Sequence, residues 1–410
     1  MTSMRVLIVG LGGGGCRLLD TLYAHDRRFG SINCLSGIAV DGDADTLNGL
    51  ANVPNEQRIY YMPLYPGNQD ESPSHPPVEE IVAKLESLDS GDIDAIIICS
   101  ALGGDIPDIV PELVPAIKRS MVEPVFGLYI LPCARDGAPR AAKAYEQVVA
   151  HKPLLEGIIL FDNETWLHRI QEQLDAPEEA PDYLHILTSD YKQLLSRKQP
   201  EPVDRRKKAY NIINDLIARR IGLILRAGEF NERGSMEIAE VVLDAGEVLN
   251  TIRGMGFITI GYAMTPIEKS QFDLINRLAP GTPSVEEDHK KASRVVDIAK
   301  RAIYEENSTP CDLGTAAKAL ILIAGPSHEM SMKGFMTVRR WIDKSIRGLE
   351  VRSGDYPVHS SGYLAIIIIL AGVEEIPRLD ELKAYFEQSQ EVHESGKEIP
   401  GEDTKILPES

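Results

Sequence analysis

The residues best suited to chemistry come at the start of the chain. Val6-Leu7-Ile8-Val9 is an unbroken apolar run, the pattern of a strand buried on both faces. Gly10 to Gly15 then places five glycines in six positions, with only Leu11 between them. Cys16, Leu18, Leu19 and Leu22 follow at helical spacing. A strand, a bare turn and a helix in that order bring backbone N–H groups and a helix N-terminus to one point, and both attract phosphate. Five glycines are more than a tight turn needs, so the stretch points to nucleotide binding. Which nucleotide stays open at this stage. The spacing fits a dinucleotide fingerprint as well as other phosphate loops. Asp41, about twenty-five residues past the glycines, could hold a ribose 2′-OH, as in NAD-dependent oxidoreductases.

A chain of 410 residues has ample length for a real core and predicts two or three domains. The net charge of −19 argues against nucleic acid as a partner. Five cysteines without a CxxC pair suggest a reduced, cytoplasmic chain with no disulfides or structural zinc. The first residues do not read as a signal peptide. The most apolar run, Leu364 to Val373, is half the length of a membrane span. The nine histidines are scattered and no metal-ligand spacing is present, so no metal site is expected.

Strand and helix patterns alternate through the first half. Candidate strands after the first are Ile38 to Val40, Ile59 to Tyr61, Ala95 to Cys99, Val125 to Leu131 and Ile158 to Phe161. Helical patterns cover Val78 to Leu88, Ile109 to Arg119 and Ala141 to Leu155. This alternation predicts an α/β, Rossmann-like parallel sheet with ligands beyond the carboxyl ends of its strands. The rhythm breaks at 167–205, rich in proline and charge, which reads as an insertion with a short helix at Tyr183 to Leu195. Arg206 to Arg226 then predicts a long central helix, with Tyr210, Ile213, Leu216, Ile217, Ile221 and Ile224 on one face and Gly228 ending it. Strand-like runs at Ile258 to Tyr262, Ala319 to Ala324, Leu349 to Arg352 and Tyr363 to Leu370, with helices at Ala292 to Tyr304 and Gly334 to Ile346, suggest a smaller α+β domain. The expected divisions are a nucleotide-binding domain over 1–205, a central helix over 206–230, the α+β domain over 231–382 and an acidic disordered tail over 383–410.

These pieces resemble the tubulin/FtsZ superfamily, and the archaeal tubulin-like CetZ group most closely. GLGGGG is similar to the family's first phosphate loop, and EPVFGLYILP to its fifth strand and ribose loop. FDNETW, YNIIN and VLDAGEVLNTI resemble the base-binding corner, the guanine-facing turn of the central helix and the loop that reaches the next subunit's nucleotide. LILIAGPSHEM, EVRSGDYPV and AGVEEIPRLDEL resemble the group's C-terminal domain. The resemblance implies GTP or GDP, alone or with Mg2+, held at Gly12, Gly13, Gly14, Gly15, Cys16 and Arg17, with Asn163 bonding the guanine, Asp136 the ribose and Arg140 nearby. The group has Glu at position 136 and lacks the Arg. Tyr210 and Asn214 are i and i+4, so both leave one face of the central helix, and an aromatic with an amide suits a purine. Asp244 and Glu247 are the implied catalytic acids, positioning water at the nucleotide of the adjoining subunit.

One loop departs from the pattern. Where the family has GGGTGTG or close to it, this chain has Gly103, Gly104, Asp105, Ile106 and Pro107. Ile106 stands where Thr should bond phosphate, Pro107 removes an N–H, and Asp105 brings a negative charge to the phosphate region. The Pro63 to Pro77 loop also lacks the family's small residues. The expected function is a tubulin-like, GTP-binding cytoskeletal protein that forms head-to-tail homopolymers and controls cell shape, with hydrolysis an open question. The alternatives are a pseudo-GTPase scaffold of the same fold and, remotely, the NAD-dependent oxidoreductase.

Overall fold

The computed structural model describes residues 3–29, 33–61, 77–175, 202–226, 245–267, 285–357 and 362–395. The expected helix at Tyr183 to Leu195, Gly228 at the end of the central helix, most of the Pro63 to Pro77 loop and Asp244 lie outside these residues.

The parallel strands form where the sequence carries continuous apolar runs. They are β1 (Val6–Leu11), β2 (Leu35–Asp41), β3 (Arg58–Tyr60), β4 (Ala95–Ala101), β5 (Val125–Leu131) and β6 (Ile158–Asp162). Successive residues of β1 divide between two cores: Leu7 and Val9 pack on one face and Val6 and Ile8 on the other, all fully buried. Helices α1 (Gly12–Phe29) and α2 (Ala44–Asn48) cover the second face, and α3 (Val78–Leu88), α4 (Val110–Ser120) and α5 (Ala138–His151) the first. The covering of both faces is why these strands are apolar throughout instead of alternating.

The central helix α7 (Pro202–Leu225) lies with α6 (Asn163–Asp175) and α8 (Ala245–Ile252) on the α1 side. Its buried stripe is Ala209, Ile213, Leu216, Ile217, Ile221 and Ile224. Arg220, also on this face, is 1% exposed and donates to the carbonyls of Leu216 at 3.0 Å and Glu306 at 2.9 Å. Its guanidinium lies 4.7 Å from the Trp166 ring centroid, so both the charge and its donors are compensated.

The second half supplies β7 (Phe257–Pro266), α9 (Val285–Tyr304), β8 (Lys318–Gly325), α10 (Met332–Ser345), β9 (Glu350–Pro357), β10 (Tyr363–Val373) and α11 (Pro377–Ser395). Its antiparallel β7–β10–β8 core gives the expected α+β character. β7 also pairs with β6 at Ile158 and Ile159, so among the described residues one ten-stranded sheet runs in the order β3-β2-β1-β4-β5-β6-β7-β10-β8-β9.

Two elements depart from the sequence reading. The rhythm does not break at residue 167: α6 continues to Asp175, with Trp166, Leu167 and Ile170 buried. Nor does a disordered tail begin at 383, because α11 runs on to Ser395. It packs on α5, with the Tyr145 and Phe386 ring centroids 5.7 Å apart.

Candidate functional site

The carboxyl ends of β1, β2, β4, β5 and β6 open onto one cleft of about 770 Å³, closed on its far side by α7. The glycine turn forms its floor. Gly12 has φ +69°, a conformation glycine adopts without strain, and it starts α1 directly at the end of β1. Gly12, Gly13, Gly14 and Arg17 line the cleft. Gly15 and Cys16 do not. A Cβ on Gly15 would overlap the Cys99 carbonyl, so this glycine serves close helix–strand packing. The Cys16 side chain is fully buried, with Sγ 3.4 Å from both the Gly10 and Val40 carbonyls, and burial pushes its thiol pKa up. The expected nucleotide contact at Cys16 is therefore corrected to a core position for its side chain.

The loop after β4 is held from behind by α5. Gly103, at φ +88°, donates its N–H to Gln147 Oε1 at 2.8 Å. Gln147 Nε2 in turn donates to the Gly104 carbonyl at 2.7 Å and to Asp108 Oδ1 at 2.6 Å. Gly104, Asp105, Ile106 and Pro107 line the cleft, and Gly103 lies under Arg140. Ile106 is 8% exposed and packs into the apolar core, and a Cβ added at Gly12 would meet its side chain. Pro107 sits in the first turn of a short 3-10 helix, Ile106–Ile109, where a missing N–H costs little. Asp105 is not the bare charge that the sequence suggests: Lys143 Nζ pairs with its carboxylate and, at 2.9 Å, with that of Asp108. The repulsion expected at Asp105 is thereby reduced.

The opposite wall carries the remaining predicted residues. Asp136 accepts from the Cys133 N–H at 2.9 Å, which fixes the turn after β5. Arg140, exposed in the first turn of α5, reaches the same space. Asn163 opens α6 and is 9% exposed; its Oδ1 is buried with no hydrogen-bond partner among the described residues. Tyr210 and Asn214 face it from α7, with the Tyr210 hydroxyl 4.0 Å from Cys133 Sγ.

Two residues that line this cleft, Lys207 and Asn211, and two that hold its loop from behind, Lys143 and Gln147, are not among those the sequence singles out. Lys207 lies one turn before Tyr210 and two before Asn214, and Asn211 one turn before Asn214, a spacing that could have flagged them. Lys143 and Gln147 act through the loop and carry no motif. Asp41 lines the cleft at the end of β2, is 6% exposed, and has a buried Oδ2 with no hydrogen-bond partner among the described residues; burial raises its pKa. Three cations (Arg17, Arg140, Lys207) and three acids (Asp41, Asp105, Asp136) thus share the lining, a nearly balanced field.

Glu247 is elsewhere. It projects from α8, where Arg352 Nη1 meets its carboxylate at 3.2 Å. Arg352 pairs in register with Leu320, and Lys318, two residues before it, donates to the Asn250 carbonyl. These are the amino ends of β8 and β9, so α8 lies at the end of the sheet opposite the cleft. Within one chain, Glu247 and the cleft cannot act on the same atom.

The chain was compared with known proteins. Residues 204–388 match the family described as tubulin-like CetZ, C-terminal domain. Tubulin-like protein CetZ3 of Haloferax volcanii is 27% identical over 399 residues, covering 94% of this chain and 92% of its own. CetZ1 of the same organism, solved as a GDP-bound monomer, superposes with a TM-score of 0.67 at 24% identity, over 94% of this chain and 100% of that one. CetZ2 of Haloferax volcanii, solved as a GTPγS-bound protofilament, gives 0.68 at 23%, over 96% and 99%. The similarity to the tubulin-like CetZ proteins runs nearly end to end in both sequence and fold, and residues 204–388 carry the C-terminal domain of that family.

Proposed function

We propose that the chain binds guanine nucleotide in this cleft and assembles head to tail with copies of itself. The observation that carries the reading is the convergence of Asn163, Tyr210 and Asn214 around a buried acceptor, Asn163 Oδ1, that a purine N–H would satisfy. Tyr210 offers a ring to stack on the base, and Asn214 an amide for its edge. Asp136 and Arg140 flank the space for a ribose, and the glycine turn at the start of α1 receives the phosphates. Among the described residues no three His, Cys, Asp or Glu side chains gather as metal ligands. A Mg2+ ion would therefore take most of its ligands from the phosphates and water.

The polar arrangement supports assembly. With the cleft at one end of the sheet and Glu247 at the other, stacking two copies head to tail brings the Glu247 end of one toward the cleft of the next. This is a heterologous contact that does not close on itself. Asp244 and Glu247 of the adjoining subunit would orient the attacking water. A cytoskeletal role in cell shape follows from such filaments. Titration with guanosine, GDP, GTP and ATP tests the site: guanine selectivity is expected, and equal affinity for ATP overturns it.

A second reading, a scaffold that binds nucleotide without hydrolysing it, is favoured by one observation. Ile106 lines the cleft with an aliphatic side chain, so the loop lacks a hydroxyl for the phosphates at this position. Phosphate release from assembled protein separates the two readings.

A further inference from the structure

We infer that Arg378, on the C-terminal helix α11, is a positioning residue that sets the spacing of the two strand ends around the base and ribose. The inference rests on the guanine-nucleotide reading above. Arg378 is 6% exposed. Its Nη2 donates to the Pro132 carbonyl at 2.6 Å, and its Nε lies 3.5 Å from Asp162 Oδ1. Nη1 pairs with Glu381 at 2.5 Å, which anchors the guanidinium within its own helix.

The two partners sit on neighbouring strands. Leu131 of β5 is in register with Asp162 of β6, so one planar group spans both strand ends just where they enter the cleft. Pro132 lines the cleft and precedes Cys133, whose N–H is held by Asp136. Asp162 accepts from the N–H groups of Glu164 at 3.1 Å and Thr165 at 3.2 Å, which fixes the start of α6 and hence Asn163. Moving Arg378 would loosen the Asp136 turn and the Asn163 corner together. It would leave the glycine turn, which α11 does not touch through this residue, in place. Burial raises the Asp162 pKa, and the Thr165 hydrogen bond and the Arg378 charge oppose that rise; the Nε contact to Asp162 is an ion pair at 3.5 Å, without a hydrogen bond among the described residues.

The test compares Arg378→Gln and Arg378→Lys with the wild type in the full chain. In Arg378→Gln, affinities for guanosine, GDP and GTP should all fall by the same factor, about tenfold, with the GTP-to-GDP ratio unchanged. Arg378→Lys keeps the charge but not the span and should recover only part of the loss. It also carries the test should Arg378→Gln fail to fold. Amide exchange without nucleotide gives a second readout. Residues 133–137 and 163–166 should exchange faster in the variants, whereas a residue that merely docks α11 would change exchange only within that helix. Unchanged affinities together with exchange altered in α11 alone would overturn the inference. If the wild type binds no guanine ligand, the site reading fails, and the exchange pattern still decides the role of Arg378.

Discussion

Asn163→Ala separates a nucleotide ligand from an ordinary structural residue, because the two roles predict opposite outcomes. The Asn163 side chain is almost fully buried, yet its Oδ1 has no hydrogen-bond partner among the described residues. A buried, unsatisfied acceptor costs about 1–3 kcal/mol, and truncation removes that cost along with a little packing. Stability without nucleotide should therefore change by less than about 1 kcal/mol, in either direction. Binding is different. A guanine N–H meeting this acceptor makes its bond and also ends the unsatisfied state, so losing the amide should cost about 1–3 kcal/mol of affinity, or roughly five- to 150-fold. Calorimetric titration with guanosine, which lacks phosphates, isolates the term, and urea unfolding without nucleotide gives the stability. Asn214→Ala should show the same pattern with a smaller loss, since Asn214 is only half-buried. A variant that is destabilised by several kcal/mol but binds guanosine as tightly as wild type would refute the reasoning.

Three further outcomes are expected. Glu247→Ala should leave nucleotide affinity at the wild-type level and abolish GTP turnover, with partial recovery on mixing with a variant damaged in the glycine turn. Its Arg352 pair is about one-third exposed, so stability should move by less than about 1 kcal/mol. Lys143→Met should strip the countercharge from Asp105 and Asp108, weakening GTP about tenfold and guanosine hardly at all; conversely, Asp105→Gly with Ile106→Thr and Pro107→Gly should tighten GTP about tenfold at some loss of stability from buried Ile106. An unchanged ratio of GTP to guanosine affinity in either variant would count against the loop argument. His151, buried beside the Tyr129 hydroxyl at 2.9 Å, has its pKa lowered by burial from 6.5 to about 4. The folded state therefore keeps it neutral while the unfolded state protonates it, so its contribution is complete above pH 6.5 and is lost between pH 6.5 and about 4. The loss is about 1.4 kcal/mol per pH unit, and ~3 kcal/mol in all. The stability difference between wild type and His151→Gln in urea, measured at pH 7.5 and 4.5, should narrow by that order.

The strand map is legible in the sequence because burial on both faces leaves nothing polar to blur it. β5 is read at its observed bounds, Val125–Leu131, and so is α3, Val78–Leu88, whose Ile81, Val82 and Leu85 mark its inner stripe. The helices that escape are those with thin apolar faces. Among its described side chains the apolar ones that α6 buries are Trp166, Leu167 and Ile170, and it opens on Asn163-Glu164-Thr165, residues that read as loop chemistry. The second half of α11 gains its order from α5 through Tyr145 and Phe386, a tertiary contact that its polar composition does not announce. The lining of the cleft is legible at Gly12, Asn163, Tyr210 and Asn214, which the sequence singles out and the fold brings together. It is not legible at Cys16, because helical spacing allows the position while packing against Gly10 and Val40 turns its side chain inward.

The loop after β4 shows why a departure from a motif cannot be weighed on its own. In isolation, Asp105-Ile106-Pro107 reads as three losses to a phosphate site. The structure gives each a compensation: Lys143 against Asp105, core burial for Ile106, and a first-turn position for Pro107. Two of the groups that hold the loop lie far along the chain, Lys143 at 38 residues from Asp105 and Gln147 at 44 from Gly103. Yet Gln147 also occupies the Gly103 N–H, a backbone donor of the kind that a phosphate would need. The loop has therefore been rebuilt around internal contacts, which preserves its shape and leaves it fewer donors to offer. On the proposed guanine-nucleotide reading, the base and ribose contacts rest with α6, α7 and the turn after β5. The cleft's discrimination between GTP and GDP then falls to the glycine turn and to the cations Arg17, Arg140 and Lys207, whose charges are salt-sensitive at an exposed surface. The preference for GTP over GDP should accordingly weaken as salt rises, while guanosine affinity holds steady. A GTP preference that persists in molar salt would mean that backbone donors, and not side-chain charge, still govern the phosphates.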